Sequence, residues 1–444
     1  VARDLKRPQL SGEALEADIV DLAHDGRGIA RSGGKAVFIE GALPGERVRF
    51  RVFKRRRQMD EAGLVEVLAA SPDRVVPRCA HFGVCGGCSL QHLAPAAQLA
   101  AKQRQLLDNL ERIGRVRPQR VFPPLTGPHF AYRRRARLGV KYVHKKGRVL
   151  AGFRERDKPY IADIRRCEIL LERFATLPQE LAALVETLTL REKLPQVELA
   201  AGDESAALVF RVMEPPSADD LRKLEEFAVR HEVQIYLQSG GLQTIRPLAD
   251  GGKPLTYTVD GGRVTIEFGP ADFIQVNREV NAAMVAAAMD LLEPTPDDTV
   301  LDLFCGLGNF TLPLGRRARR VVGVEGDAAL VAKAAANARR NGAANAEFFT
   351  ADLFDPGKFG PWATGPYDLV LLDPPRAGAS EIMERMAHWR PRRVVYISCH
   401  PGSLARDAGI LAHAQGFQLI GAGVMDMFPH TTHVESIAVF ERGA

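Results

Sequence analysis

No stretch of this sequence approaches the roughly 20 consecutive apolar residues that a membrane-spanning helix needs, and its first residues are polar rather than signal-like. A soluble, cytoplasmic protein with no membrane partner is therefore expected. Internal repeats and low-complexity tracts are missing as well, which sets aside solenoids and disordered scaffolds. Hydrophobic residues at 46% and charged residues at 26% form an ordinary globular balance. A length of 444 residues suggests about three domains. Cysteine is scarce, with six in the whole chain. Without a secretory signal they read as metal ligands or catalytic groups rather than a disulfide framework. A strong net charge is missing too, but the formal value of +6 hides a division. Residues 1–170 carry 34 basic and 18 acidic side chains, a balance of +16, whereas residues 171–444 carry 26 and 36, a balance of −10. Segregation on this scale points to a polyanion facing the first part of the chain.

Residues 11–70 read as a small all-β unit. Strand-like stretches at 17–20, 36–39, 46–53 and 62–68 are separated by glycine turns at Gly26-Arg27-Gly28 and Ser32-Gly33-Gly34. Short strands without a long helix suggest an OB-like barrel. One of them runs into Arg51-Val52-Phe53-Lys54-Arg55-Arg56-Arg57, a candidate track for a nucleic-acid backbone. A helix is predicted over 95–113, with Pro95 at its first position. A second basic block follows, with Arg133, Arg134, Arg135, Arg137, Lys141, Lys145, Lys146 and Arg148. Tyr132, Tyr142 and Phe153 are interleaved, either as stacking partners for unpaired bases or as core. A helix over 218–231 and a hairpin around Asp260-Gly261-Gly262 complete the middle of the chain.

From about residue 270, buried strands alternate with helices, the mark of a doubly wound α/β sheet. Strands read at 299–304, 321–325, 346–350, 368–373 and 394–398, with two more in the tail. The first ends in Phe304-Cys305-Gly306-Leu307-Gly308-Asn309, a glycine turn that lets a ligand approach the backbone. Glu325 ends the second strand, where a carboxylate can receive both ribose hydroxyls, and Asp352 follows the third at the adenine edge. The third glycine of a dinucleotide fingerprint is absent, so an adenosyl ligand without pyrophosphate fits better than NAD. The arrangement resembles the class I S-adenosylmethionine-dependent methyltransferase fold.

Two further motifs supply chemistry. Asp373-Pro374-Pro375-Arg376 ends the fourth strand, with Arg376 where methyltransferases acting on exocyclic amines carry a stacking aromatic residue. Ser398-Cys399-His400-Pro401 ends the fifth, level with the glycine turn, and places Cys399 as a nucleophile. Glu435, in His433-Val434-Glu435, precedes a strand and is the candidate base. A thiolate added to C6 of uracil makes C5 nucleophilic enough to take a methyl group, and a base must then remove the C5 proton. The target nucleotide must be flipped out or already unpaired. His400 and His433 read more simply as solvent-facing.

Together with Phe273-Ile274-Gln275-Val276-Asn277, these motifs stand in the order found in the RNA 5-methyluridine methyltransferases, which this chain resembles over nearly its full length. The resemblance implies S-adenosylmethionine contacts at Gln275, Phe304, Asn309, Glu325, Asp352 and Asp373, with Cys399 as nucleophile and Glu435 as base. Cys79, Cys85 and Cys88, with Cys167 after 78 intervening residues, are similar to the [4Fe-4S] pattern of the 23S ribosomal RNA members. Residues 1–72 are similar to their TRAM RNA-binding barrel, leaving 73–268 as a central iron–sulfur domain and 269–444 as the methyltransferase domain. A 23S rRNA substrate and a monomer are expected. His400 departs from the family, which usually has Asn between Cys and Pro. Zinc is the rival for the four cysteines, but only one short C-x2-C pair is present, and the flanking glycines suit a cluster better. The alternatives are a tRNA uracil-C5 enzyme, an RNA cytosine-C5 enzyme, and an RNA-binding protein with a vestigial cofactor fold. Cytosine chemistry usually places proline before the nucleophile, where Ser398 stands here.

Overall fold

The computed structural model describes residues 13–443 and forms two compact units. Residues 1–12, the start of the expected barrel, lie outside the described residues.

The first unit takes the described residues up to Lys102, together with Phe153–Ile164 and Pro429–Thr432. Its six strands are β1 (Leu15–Asp18), β2 (Asp21–Leu22), β3 (Gly28–Ser32), β4 (Lys35–Glu40), β5 (Arg47–Arg55) and β6 (Met59–Ala69). They form one sheet in the order β1-β5-β6-β4-β3-β2. Alternation explains β5: Val48 and Phe50 enter a core with Ile19, Ala30, Val37, Ile39 and Ala62, while Arg47 and Arg49 take the other face. The basic run at its end is only partly neutralised. Arg56 pairs with Glu61, whereas Lys54, Arg55 and Arg57 are exposed and have no carboxylate partner among the described residues.

Helix α1 (Pro95–Asn109) leads into the second unit and ends in a wider turn at Leu110–Gly114, so regular α-helix stops four residues short of the expected end. Next come β7 (Arg120–Val121), β8 (Arg135–Val143), β9 (Arg148–Gly152), α2 (Leu177–Glu186), β10 (Gln196–Ala201), β11 (Ala206–Arg211), α3 (Ala218–His231), β12 (Gln234–Gln238) and β13 (Arg246–Pro247). These strands, β7 apart, form a sheet in the order β13-β12-β11-β10-β8-β9. The hairpin β14 (Leu255–Val259) and β15 (Val264–Phe268) turns through Asp260 and Gly261, both at positive φ.

The rest is α4 (Arg278–Leu292), β16 (Thr299–Leu303), α5 (Thr311–Gly315), β17 (Arg320–Glu325), α6 (Ala328–Arg340), β18 (Ala346–Thr350), β19 (Leu369–Leu372), α7 (Ser380–Met383), α8 (Met386–Trp389), β20 (Arg393–Ser398), α9 (Pro401–Ala414), β21 (Phe417–Met425) and β22 (Glu435–Arg442). One eight-stranded sheet results, ordered β18-β17-β16-β19-β20-β22-β21-β7. The strands from β18 to β20 are parallel and β22 is antiparallel to β20. Continuous apolar runs such as Leu369-Val370-Leu371-Leu372 are buried on both faces, as helix-covered parallel strands require.

The second basic block divides. Arg134 is buried, donates to the Gln275 carbonyl at 3.0 Å and lies over the Tyr257 ring. Arg135 donates to the carbonyls of Pro270 and Ala271. These two cations brace residues 270–275, and Tyr132 beside them is core. Arg137, Lys141, Lys145, Lys146 and Arg148 are exposed. The sequence block is thus part brace and part basic surface.

In the first unit, Glu46 is buried and receives Arg74 Nε at 2.5 Å and Nη2 at 2.9 Å, together with the Leu43 and Ser71 N–H groups. Burial alone would raise its carboxyl, but these bonds outweigh it and hold the group below its ordinary 4.5. A depressed folded pKa stabilises above the unfolded value and is lost as pH falls through the folded one. Glu46→Ala is expected to destabilise this unit by about 3 kcal/mol at pH 7 in urea denaturation, with the gap to wild type closing below about pH 4. An equal midpoint at neutral pH would contradict this.

Candidate active site

Parallel strands place their carboxyl ends along one edge of the sheet, where ligands of such folds bind. Phe304 follows β16, Glu325 ends β17, Asp352 lies two residues past β18, Asp373 follows β19 and Cys399 follows β20. Because β22 runs antiparallel, its first residue, Glu435, reaches the same edge. The topology therefore gathers these sequence-predicted residues without any long-range loop.

The glycine turn is held open from within. Phe304 and Gly306 have φ of 62° and 54°, and a Cβ on Gly306 would meet nothing within 4 Å. Glu325 Oε2 accepts from the Gly306 N–H at 3.2 Å, and its Oε1 accepts from Gly326 and Asp327, so this carboxylate shapes the turn. Asn309 exchanges amide hydrogen bonds with Asn281 at 3.0 and 3.1 Å and receives the Tyr257 hydroxyl. Gln275 is half-buried, and its side-chain amide has no partner among the described residues. Asp352 is exposed and accepts from the Phe354 N–H. The Phe304 and Phe354 rings lie 5.7 Å apart, forming an apolar wall beside the carboxylates. Phe354 escaped sequence reasoning; its signal was an aromatic residue two positions after Asp352.

Several acidic groups share this edge. Burial pushes Asp302 up to about 7, against a bond from Thr311 and with Asp373 adding repulsion. Burial likewise pushes Asp373 up to about 7. Such a cluster suits a cationic ligand.

At the chemical end, Ser398 pairs with Ser436 across β20 and β22, which brings Cys399 and Glu435 alongside one another. Burial raises the Cys399 thiol to about 11; Glu435 and Asp373 add to this, and Arg376 opposes them. His400 and His433 are exposed, as expected, but neither only faces solvent. His400 caps α9: its Nδ1 accepts from the Ser403 N–H at 3.1 Å, as an Asn oxygen would at the same position. Ser403 Oγ then donates to the Arg376 carbonyl, Arg406 to the Ala377 carbonyl, and the Ala379 N–H to Asp407. Helix α9 thus fixes both the loop after Asp373 and the turn that carries Cys399. His433 Nδ1 lies 2.9 Å from Arg376 Nη2, a pairing the sequence did not suggest.

None of the six cysteines forms a disulfide. Cys79, Cys85 and Cys88 share a tight loop in the first unit, where the Cys85 N–H donates to the His81 carbonyl and the Gly87 N–H to Cys85 Sγ at 3.4 Å. Cys167 is buried in the second unit. Three half-buried thiols with a backbone N–H aimed at sulfur fit an iron–sulfur cluster by donor chemistry. Among the described residues, no group of three or more His, Cys, Asp or Glu side chains is arranged to hold a metal ion.

Comparison with known proteins agrees with this architecture. The sequence profile of the tRNA (Uracil-5-)-methyltransferase family matches residues 94–353 and 364–443, and that of the TRAM domain matches 8–65. The 23S rRNA (uracil(1939)-C(5))-methyltransferase RlmD of Stenotrophomonas maltophilia strain K279a is 52% identical over 439 residues, covering 98% of this chain and 99% of that protein. The RlmD of Methylococcus capsulatus is 51% identical over 438 residues, with the same coverage of both. Among solved structures, the Pyrococcus abyssi tRNA (uracil-54, C5)-methyltransferase in complex with S-adenosyl-L-homocysteine superposes with a TM-score of 0.74 at 23% identity. That match spans 96% of this chain and all of the other, and it shows the class I methyltransferase fold.

The Cys399–Glu435 proximity has a direct consequence. Removing the carboxylate charge in Glu435→Gln should lower the Cys399 pKa from about 11, seen as a shift to lower pH in its alkylation-rate profile. An unmoved or raised profile would show that the two groups do not interact.

Proposed function

This chain belongs to the tRNA (uracil-5-)-methyltransferase family, in its RlmD-type 23S rRNA branch, and from that premise we propose that it transfers a methyl group from S-adenosylmethionine to C5 of a uridine in 23S rRNA. The uridine is the counterpart of the uracil 1939 named for the relatives. One observation carries the chemistry: the β20–β22 register sets a cysteine beside a carboxylate at the ligand-binding edge.

Uracil C5 is too poor a nucleophile to take a methyl group unaided. The Cys399 thiolate adds to C6, and the C5=C6 electrons move to C5 and the adjacent C4 carbonyl oxygen, forming an enolate. C5 then attacks the sulfonium methyl, whose bond to sulfur breaks. Glu435 takes the C5 proton, the C6–sulfur bond breaks, and the thiolate leaves. The resting thiol is neutral, so it gives its proton to solvent before addition. A cationic donor and Arg376 both favour the thiolate against Glu435 and Asp373.

For the donor we assign Gln275, Phe304, Asn309, Glu325, Asp352 and Asp373, with Phe354 beside the adenine position. Glu325 retains acceptor capacity for the ribose beyond its bonds to the turn, and the acidic cluster suits a sulfonium. Residues 1–72 serve as an OB-like TRAM barrel for RNA, 73–268 as a central iron–sulfur domain and 269–444 as the methyltransferase domain. Lys54 and Arg55 at the end of β5, Arg57 just after it, and the exposed cations of β8 and β9 are suited to contact phosphates. All the chemical residues come from one chain, in keeping with a monomer, and a ribosomal substrate places the reaction in the cytoplasm.

Cys79, Cys85, Cys88 and Cys167 are assigned to a [4Fe-4S] cluster, supported by their spacing and by the Gly87 N–H at the Cys85 sulfur. Bound there, the cluster would cross-link distant segments; methyl transfer moves no net electrons, and no redox step is assigned. Cys88→Ala is expected to abolish bound iron and sulfide in anaerobically purified protein and to weaken rRNA binding or folding yield. Stoichiometric zinc in the wild type would contradict the assignment.

The function is tested with a 23S rRNA fragment tritiated at C5 of the target uridine. Wild type should release tritium in step with methyl incorporation, and Cys399→Ala should do neither. Methylation of tRNA in preference to the rRNA fragment would refute the substrate assignment.

A further inference from the structure

Two polar side chains that the proposed reaction does not use are tied to the residues assigned to the donor. Tyr257, on β14, is buried, and its hydroxyl donates to Asn309 Oδ1 at 3.2 Å. The same oxygen accepts from Asn281 Nδ2, while Asn309 Nδ2 donates to Asn281 Oδ1. Asn309 closes the glycine turn, and Asn281 is buried on α4. Over the Tyr257 ring, 4.8 Å from its centre, lies the guanidinium of Arg134, also buried. Arg134 donates from Nε to the Gln275 carbonyl and from its backbone N–H to the Val276 carbonyl, both at 3.0 Å. Its Nη1 stands 3.4 Å from Asp203. The Asp203 carboxylate accepts from the N–H and the hydroxyl of Thr258, next to Tyr257, and pairs with Arg278 at 3.2 Å. Arg278 opens α4, the helix that carries Asn281, so the circuit closes on itself. Every member belongs to the second unit.

Stability alone does not account for a cation in this place. A buried ion pair adds little over apolar groups of the same shape. Arg134 Nη2 also has no hydrogen-bond partner among the described residues, which costs further. What the guanidinium supplies is geometry. Its planar fork reaches the backbone of Gln275 with one edge and offers a flat face to Tyr257, so one side chain ties the segment of Gln275 to the turn of Asn309. A ligand site gains affinity when its contacts are held in the bound arrangement before the ligand arrives. We propose that Arg134 and Tyr257 are positioning residues for the methyl donor, fixing Gln275 and the glycine turn at Asn309 in one arrangement and acting through them rather than on the donor itself. The inference rests on the assignment of S-adenosylmethionine to this edge of the sheet. It adds that donor affinity is set from outside the contact residues, by the residue that leads into β8 and by the β14–β15 hairpin.

A positioning role and a merely structural one give different readouts. Lost support for folding lowers the unfolding temperature and the fraction of active protein, and leaves the donor affinity of the folded protein unchanged. Lost positioning weakens donor binding in protein that still folds. The experiment is calorimetric titration of full-length protein with S-adenosylmethionine, alongside steady-state kinetics with a 23S rRNA fragment. Tyr257→Phe keeps the ring under Arg134 and removes only the hydroxyl; it is expected to raise the donor Kd about 5-fold, as loss of one hydrogen bond predicts. Arg134→Lys keeps the charge beside Asp203 but loses the fork and the flat face, and is expected to raise it about 10-fold. In both, the KM for S-adenosylmethionine should rise with Kd, while kcat at saturating donor and the KM for RNA stay within about twofold of wild type. Tyr257→Phe is nearly isosteric and decides the question if Arg134→Lys folds poorly. A wild-type donor Kd in either folded variant, or equal losses of affinity for donor and RNA, would overturn the inference. Glu325→Ala is the control for the site. If it leaves donor affinity at the wild-type value, the assignment of the donor to this edge fails instead, so the two failures are distinguishable.

Discussion

The proposed chemistry depends on one pairing of strands. Strand β22 runs against β20 with Ser436 opposite Ser398, and this alone sets Cys399 and Glu435 side by side at the edge where the parallel strands end. A slip of one residue would turn Glu435 to the other face of the sheet. The register is secured by burial on both sides, with Ile397, Ile437, Ala438 and Phe440 all in the core. Helix α9 holds the Cys399 turn through the His400 cap and ties it to the loop of Asp373 and Arg376 through Ser403, Arg406 and Asp407. The Cys399 turn and the Asp373 loop are thus fixed by one helix, while Glu435, the proposed base, enters from a third element.

Electrostatics at this edge is organised around a positive ligand. Asp302 and Asp373 are both pushed up to about 7, and Glu435 helps to hold the Cys399 thiol at about 11. Cys399 is therefore held as the protonated thiol. In the proposed reaction, arrival of a sulfonium donor reverses the balance of charge, so the nucleophile is favoured only when a methyl group is at hand. The basic residues lie elsewhere in sequence, on β5, β8 and β9, and suit long-range attraction of RNA more than chemistry.

Much of the fold was legible because its signals are local. The helix 218–231 and the strand 346–350 were read with the boundaries the structure shows, and the hairpin was read at its Asp260-Gly261-Gly262 turn, from helical periodicity, a short apolar run and a glycine turn. The site was legible too, because an α/β sheet gathers whatever follows its strands. What escaped depends on distant partners. The basic block near 134 read as a possible RNA surface, yet Arg134 and Arg135 are spent bracing residues 270–275. His400 read as solvent-facing, but it caps α9 through a bond three residues on. The pairing of the Asn309 side chain with Asn281 was likewise not visible in the sequence.

The central claim is that Cys399 and Glu435 act as an addition–elimination pair on uracil. Fluorine at C5 cannot be removed as a proton, so the reaction should halt after methyl transfer with the enzyme still bound. The direct measurement is mass spectrometry of wild-type protein incubated with S-adenosylmethionine and 5-fluorouridine-containing 23S rRNA, followed by protease and nuclease digestion. The account predicts a methylated fluorouridine attached to the peptide containing Cys399. A modified nucleotide on any other residue, or no adduct alongside active methylation of ordinary RNA, would contradict it.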